Sequence, residues 1–180
     1  MTESAARSLA EVNALSCERF LSHFAAVVEK TPKAASLAAA QRPFESLEQA
    51  QQAFAAALEA FEPDAQCAVL RAHPDLGLKL DEVEKLEPFS QQEQAKAGFA
   101  ALSRETLGEM RRLNATYRER FGFPFIICVK DYATDQILES MRTRAHSTPE
   151  IEFEEALRQV KRIAAHRVAA LITASEDESS

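Results

Sequence analysis

The sequence has little of what several large classes of protein depend on. Its 180 residues include four glycines and no tryptophan, and neither of the phosphate-binding patterns GxGxxG and GxxxxGK occurs. A loop that cradles phosphate is therefore not expected. No GxSxG nucleophile elbow is present either. No apolar run approaches the roughly 18 residues that a membrane span needs, so we expect no membrane contact.

Positive charge and metal-ligand spacings are also scarce. The formal net charge is −7 at pH 7, which argues against nucleic acid as a partner but still allows a small anion in a locally positive pocket. The four histidines show no HxxxH or HExxH spacing, so we expect no metal and no cofactor that leaves a motif. Cys17, Cys67 and Cys128 show no CxxC spacing and lie in apolar segments, as small core side chains do in a reducing compartment. The N-terminus has no signal-peptide layout, and a cytoplasmic location is expected.

What the sequence does have is alanine and helical periodicity. Alanine loses no side-chain entropy in a helix, so an alanine-rich and glycine-poor chain favours helix. We expect one compact all-α domain of about seven to nine helices over residues 1–174, and a disordered acidic tail at 175–180. Pro124 and the β-branched residues around it predict one extended apolar segment at 122–129. The expected helices lie at about 10–29, between Pro32 and Pro43, at 45–61, at 65–72 after an Asp64 N-cap, after an N-cap and capping box of Ser90 and Glu93, and at 103–120, 134–145 and 150–174.

The stretch RAHPDLG at 71–77 places a histidine directly before a proline. Proline disfavours the α conformation in the residue before it, so His73 should leave helical geometry and the helix should stop there. Such a histidine either marks a corner of the chain or is held at the edge of a pocket.

The last helix carries an arginine on its apolar side. At 100° per residue its apolar stripe includes Val160, Ala164 and Val168, and Arg167 lies within this stripe. A buried guanidinium costs several kcal/mol unless an anion compensates it. The anion is either an internal Asp or Glu or the carboxylate of a substrate.

Two further polar residues are ambiguous from the sequence alone. Glu93 fits a capping box, but Ala97 and Ala100 continue its helical face and leave space beside a carboxylate. Asn114 falls on the buried stripe of its own helix, where a satisfied core amide is the simpler interpretation.

Four segments in this order and spacing resemble the 2-oxo-4-hydroxy-4-carboxy-5-ureidoimidazoline (OHCU) decarboxylases. The resemblance extends upstream through RPFESLEQAQQAF, so it covers most of the chain except the acidic tail. One departure is Lys33, where the family usually has an aromatic residue. The four segments are AHPDLG at 72–77, SQQEQAKAGFAAL at 90–102, LNATYRERFGFPFIICV at 113–129 and KRIAAHRVAAL at 161–171.

The resemblance implies a compact all-helical fold, commonly a homodimer, that uses no metal and no organic cofactor. It implies His73 as the catalytic histidine and Glu93 as a catalytic-site glutamate. It implies Arg167 as the arginine that grips the substrate. The implied substrate-binding residues are completed by Pro74, Ser90, Gln94, Phe125, Ile126, Ile127, Cys128 and Val129.

The activity that the resemblance implies is the decarboxylation of a small ureidoimidazoline to (S)-allantoin in urate degradation, with His73 as general acid/base. Two alternatives remain open. One is a non-catalytic helical interaction module, which offers no reason for an arginine on a core face. The other is a related lyase or hydrolase for another small molecule on the same scaffold.

Overall fold

The computed structural model describes residues 5–78 and 80–173, and the regular secondary structure of this part of the chain is almost entirely helical. Two strands of two residues each, β1 (Arg7–Ser8) and β2 (Ile172–Thr173), pair in parallel. The all-α prediction is confirmed, whereas the predicted disordered tail lies outside the described residues. The helices are α1 (Leu9–Ala14), α2 (Cys17–Phe24), α3 (Pro32–Ala39), α4 (Leu47–Glu59), α5 (Pro63–Ala72), α6 (Leu80–Val83), α7 (Pro88–Lys96), α8 (Arg104–Phe121), α9 (Thr134–Arg144) and α10 (Pro149–Leu171).

The chain divides into two compact units. The first unit is discontinuous and comprises the residues up to Gln66 together with those from Lys161 onward. The second unit comprises Cys67 to Val160. The single-domain prediction for residues 1–174 stays a prediction. No helix in the described ranges is both long enough and apolar enough to cross a membrane.

The core of the first unit is built from α2, α3 and α4. The aromatic rings of Phe20, Phe24 and Phe54 form its centre, with ring centroids 4.5 Å apart for the first two and 5.8 Å for the last two. On α3 the buried positions include Ala34 and Ala38, each fully buried. Small side chains at these positions let neighbouring helices approach closely and still fill the space between them.

The long first helix predicted at 10–29 is wrong, because the chain breaks between α1 and α2. Leu15 adopts an extended conformation, and Ser16 caps α2 by accepting a hydrogen bond from the amide of Arg19 at 3.3 Å. A serine hydroxyl offers the backbone an alternative to the helical ladder, so periodic apolar residues on both sides do not guarantee one helix.

In the second unit, α8 is the longest helix that lies wholly within it. Ser103 caps its start, and Gly122 ends it with φ at +76°, a left-handed conformation that glycine adopts without penalty. Tyr117 on α8 packs edge-on against Phe125 at 5.5 Å between ring centroids. This contact seats the extended segment that follows α8 against the helix, and the prediction of a helix over 103–120 followed by a non-helical apolar stretch is confirmed.

Two predicted helix caps are wrong for the same physical reason. Helix α5 begins at Pro63 and α7 begins at Pro88, so Asp64 lies in the first turn of one and Ser90 inside the other. Proline suits the first helical position because its missing N–H would have no helical partner there. Glu87, not Ser90, is the N-cap residue of α7.

Candidate active site

His73 follows the last residue of α5, as the His-Pro pattern predicts. Its backbone amide donates to the carbonyl of Leu70 at 3.3 Å, and its ring Nδ1 lies 2.9 Å from the carbonyl oxygen of Val69. A carbonyl oxygen only accepts, so Nδ1 carries a proton and the neutral ring has its lone pair on Nε2. The residue is 6% exposed. His73 is therefore a buried imidazole whose orientation, and whose tautomer when neutral, are fixed by the backbone.

The loop after His73 is held by side chains from two helices. Gln94 on α7 donates from Nε2 to the carbonyl of Asp75 at 2.9 Å, and Asn114 on α8 donates from Nδ2 to the carbonyl of Leu76 at 2.9 Å. Nε of Arg118 lies 2.9 Å from Oδ1 of Asp75. Backbone carbonyls fixed by side-chain donors leave the loop little freedom, so the position of His73 is set from both sides of Pro74.

Asn114 is only partly the satisfied core amide that the sequence favours. Its Nδ2 is bonded, but its Oδ1 is buried with no hydrogen-bond partner within residues 5–78 and 80–173. Together with Met110 and Arg118 it occupies positions i, i+4 and i+8, which form one face of α8. A β-carbon at Gly77, whose φ is +67°, would come within 3.1 Å of the Met110 methyl group. This face of α8 therefore packs closely against the loop that follows His73.

A cavity of about 460 Å³ borders the same loop, on the side of α8. Asp75, Gly77, Arg111, Asn114 and Arg118 are among its lining residues. His73 and the other predicted site residues do not line it. Because the predicted site residues do not line this cavity, it is not the expected site of the reaction.

Helix α7 brings three predicted site residues onto one face, since Ser90, Glu93 and Gln94 are spaced three and four residues apart. Ser90 and Gln94 are buried, and Glu93 is half-buried. The helix packs against the 3₁₀ turn Val129–Asp131, which follows the extended segment. Helix α7 thus contacts both the His73 loop and the end of the segment at 125–128.

Cys128 carries a protonated thiol. Burial, the carboxylate of Asp131 and the more distant charge of Glu93 raise its pKa to about 12. A thiol with such a pKa does not supply a thiolate near neutral pH, which excludes Cys128 as a nucleophile.

The extended segment is confirmed from Pro124 to Cys128, whereas Val129 already belongs to the 3₁₀ turn. Two of its backbone groups already bond side chains from other helices. The amide of Cys128 donates to Oε1 of Gln159 at 2.9 Å, and the carbonyl of Ile126 accepts from Nη1 of Arg144 at 2.9 Å. A proline prevents helix but does not prevent side chains from other helices from bonding the backbone.

Arg167 belongs to the first unit and is 1% exposed, as its place on the apolar stripe predicts. Its Nη1 lies 3.3 Å from Oε2 of Glu29 and 3.2 and 3.4 Å from the carbonyl oxygens of Ala26 and Val27. An internal carboxylate therefore does meet this guanidinium. A role in gripping the substrate stays a prediction.

Three residues that support the site were missed from the sequence: Arg144, Glu152 and Gln159. Gln159 had a usable signal, because it lies three residues after Ala156 and four before Ile163, both buried on the same face of α10. A polar side chain on a core face needs a partner, as at Arg167. The other two gave no signal, since charges near helix ends are common on surfaces.

The chain is similar to proteins of known name over nearly its whole length. Residues 13–169 match the family model described as OHCU decarboxylase. The 2-oxo-4-hydroxy-4-carboxy-5-ureidoimidazoline decarboxylase of Haloferax volcanii is 40% identical over 90% of this chain and 94% of its own length. The protein of the same name from Mus musculus is 34% identical over 92% of this chain and 93% of its own length.

Solved structures share the fold. The crystal structure of (S)-allantoin synthase superposes with a TM-score of 0.76 over 94% of this chain and 55% of the other, at 24% identity. The crystal structure of OHCU decarboxylase in the presence of (S)-allantoin gives a TM-score of 0.65 over 81% of this chain and 94% of the other, also at 24% identity. By the match of its sequence, the chain belongs to the OHCU decarboxylase family.

Proposed function

We propose that this protein converts OHCU to (S)-allantoin and CO₂ without a cofactor, as a carboxy-lyase of urate degradation, and that His73 is its general acid/base. Family membership supports the reaction. The observation that carries the role of His73 is its hydrogen bond from Nδ1 to the carbonyl of Val69, which orients the buried ring and, in the neutral form, places the lone pair on Nε2.

The reaction breaks the bond between the ring carbon and its carboxylate. CO₂ leaves, the electron pair of the bond stays on the substrate, and a proton is then delivered to one face of the product. An imidazole exchanges protons near neutral pH, so Nε2 is suited to accept a substrate proton and return it to carbon. Such catalysis typically contributes about 10²–10⁴-fold to a rate.

The remaining predicted site residues position and bind the substrate in this proposal. Glu93, half-buried on α7, positions the polar groups of the substrate and orients or polarises the imidazole of His73. Pro74, Ser90 and Gln94 line the pocket, and backbone groups of residues 125–129 bond the ring and ureido oxygens. Arg167 binds the substrate carboxylate, in keeping with a guanidinium that already meets an anion.

The test is a coupled assay that follows optical activity. Urate is converted in situ to OHCU, and wild-type protein is compared with His73→Gln, which keeps a polar side chain but cannot exchange protons. We expect rapid formation of a single enantiomer with wild type, and a rate at least about 10²-fold lower with the variant. Racemic product at the uncatalysed rate from folded wild type would contradict the activity. A fully active His73→Gln would contradict the role of the residue.

We also propose that the protein is a cytoplasmic homodimer. The cysteines support a reducing compartment, since Cys17, Cys67 and Cys128 all lack a disulfide. The dimer rests on the family resemblance alone. Sedimentation equilibrium of the purified protein tests it, and a mass of about 20 kDa, against 19.9 kDa for one chain, would contradict it.

A further inference from the structure

Arg144 bonds a carboxylate and a backbone carbonyl at once. Its Nε lies 3.2 Å from both oxygens of Glu152, and its Nη2 lies 2.5 Å from Oε1 of the same residue. Its Nη1 donates to the carbonyl of Ile126, and the guanidinium lies over the ring of Phe125 at 4.5 Å from the centroid. Glu152 is 1% exposed. The guanidinium is thus held by three groups, two of which belong to the extended segment.

Gln159 fixes the same segment two residues further along. Its Nε2 donates to Oε1 of Glu155 at 2.8 Å, and because a carboxylate only accepts, this contact sets which end of the amide is nitrogen. Its Oε1 therefore faces the amide of Cys128, 2.9 Å away. Gln159 is 2% exposed, so this hydrogen bond is shielded from water.

The two contacts determine which backbone groups of the segment remain for a ligand. In an extended chain, residues i and i+2 direct their backbone groups to the same side. Ile126 and Cys128 are held by α9 and α10, so Ile127 directs its amide to the opposite side. Ile127 is 3% exposed, and its amide has no hydrogen-bond partner among the residues that the structure describes. A buried amide of this kind requires an acceptor.

We propose that Arg144 and Gln159 are positioning residues that aim the amide of Ile127 at an oxygen of the bound substrate. This inference rests on the proposed function. Neither side chain touches the substrate, and each acts through the backbone that it holds. Losing either one lets the peptide plane rotate, which weakens the binding of substrate and product while the proton transfer by His73 continues.

Two variants and one control test the proposal. Arg144→Lys keeps the charge beside Glu152 but cannot bridge it to the carbonyl of Ile126, and Gln159→Leu removes the acceptor for Cys128 at similar size. The matched control is Arg142→Lys, the same change two residues earlier at an exposed ion pair with Glu109. Each protein is assayed for kcat, KM and the pH profile of kcat, and for the affinity of (S)-allantoin by calorimetry.

We expect about a ten-fold rise in KM, and a matching loss of (S)-allantoin affinity, for both variants. Their kcat should change less than three-fold, the pH profile of kcat should not move, and the control should match wild type. A merely structural role would instead lower the amount of active enzyme and leave KM unchanged.

A folded Gln159→Leu protein with the KM of wild type would overturn the inference, and so would a loss confined to kcat. If Arg144→Lys does not fold, the result for Gln159→Leu alone decides the test. Inactive wild type would instead overturn the proposed function, and the positioning roles with it. If wild type is active and the two variants have the same KM and the same affinity for (S)-allantoin as wild type, the positioning roles are overturned and the proposed function stands.

Discussion

The two units each bury one arginine against one glutamate, and the two pairs differ in geometry. In the second unit the side chains of Arg144 and Glu152 are 12% and 1% exposed, and their closest approach is 2.5 Å. In the first unit those of Arg167 and Glu29 are 1% and 2% exposed, and their closest approach is 3.3 Å. The Arg144 fork meets its carboxylate through two nitrogens, whereas Nη1 of Arg167 is shared among one carboxylate oxygen and two carbonyls.

The tighter pair marks Arg144 as an arginine that stabilises the fold, and the looser pair is compatible with the substrate-binding role proposed for Arg167. A fork held through two nitrogens has strong, short contacts that exist with or without substrate. A guanidinium with longer contacts to its internal carboxylate loses less interaction energy when another planar anion competes for it. Burial alone, which is all that a helical stripe predicts, does not distinguish these cases.

The largest expected effect is on stability, from Arg144→Met. The substitution leaves Glu152 buried without its cation, which costs about 3–5 kcal/mol in the free energy of unfolding. Arg142→Met, at the exposed pair with Glu109, should cost far less, because water screens this ion pair. Urea denaturation at pH 7 measures both, and similar losses for the two variants would contradict the comparison.

The same variant has a pH signature. Burial raises the pKa of the Glu152 carboxyl, so without Arg144 the folded protein takes up a proton there more readily than the unfolded chain does. A raised carboxyl pKa favours the folded state below the unfolded pKa, and this contribution is lost as the pH rises. The deficit of Arg144→Met relative to wild type should therefore be larger at pH 8 than at pH 5.

The next effect is on activity, from Arg167→Lys. Lysine keeps a positive charge beside Glu29 but offers no planar fork, so kcat/KM should fall about 10–100-fold, the range for a lost charge-assisted hydrogen bond. The free energy of unfolding should change less than in Arg144→Met. Saturation kinetics and urea denaturation together test this. An unchanged kcat/KM would remove Arg167 from the substrate site and make the two arginines equivalent.

The sequence predicted those parts of the fold that local chemistry determines. Helices α8, α9 and α10 and the stop at His73 follow from apolar periodicity, a serine cap and the His-Pro pair. The break before Ser16 was missed because a hydroxyl cap competes with the helix by about 1 kcal/mol, which periodicity does not register. The start of α7 was missed because Ser90 looks like a cap and Pro88 fits the first turn better.

The site residues that the sequence itself suggested are those that form an anomaly within one segment. Arg167 stands out against its own helix, and His73 against its proline. Arg144 and Glu152 do not stand out in the sequence, because they pair only when a loop brings their helices together. Contacts of this kind between helices depend on tertiary packing, which the composition of each helix does not encode.

The smallest expected effect concerns His23, which like Arg167 is a basic side chain buried in the first unit. Its Nε2 lies 3.2 Å from the carbonyl oxygen of Leu171, and burial lowers its pKa, partly opposed by this hydrogen bond. A lowered histidine pKa means that the unfolded chain binds more protons as the pH falls below about 6.5, so stability is present above that pH and is lost on acidification.

His23→Gln, whose amide can donate to the same carbonyl, should remove this share of the acid sensitivity. Between pH 6.5 and 5 the wild type should lose up to about 1.4 kcal/mol per pH unit more than the variant. Urea denaturation across this range measures the difference. Parallel curves would mean that a charge is tolerated inside the first unit, and Arg167 would then not need Glu29 to remain buried.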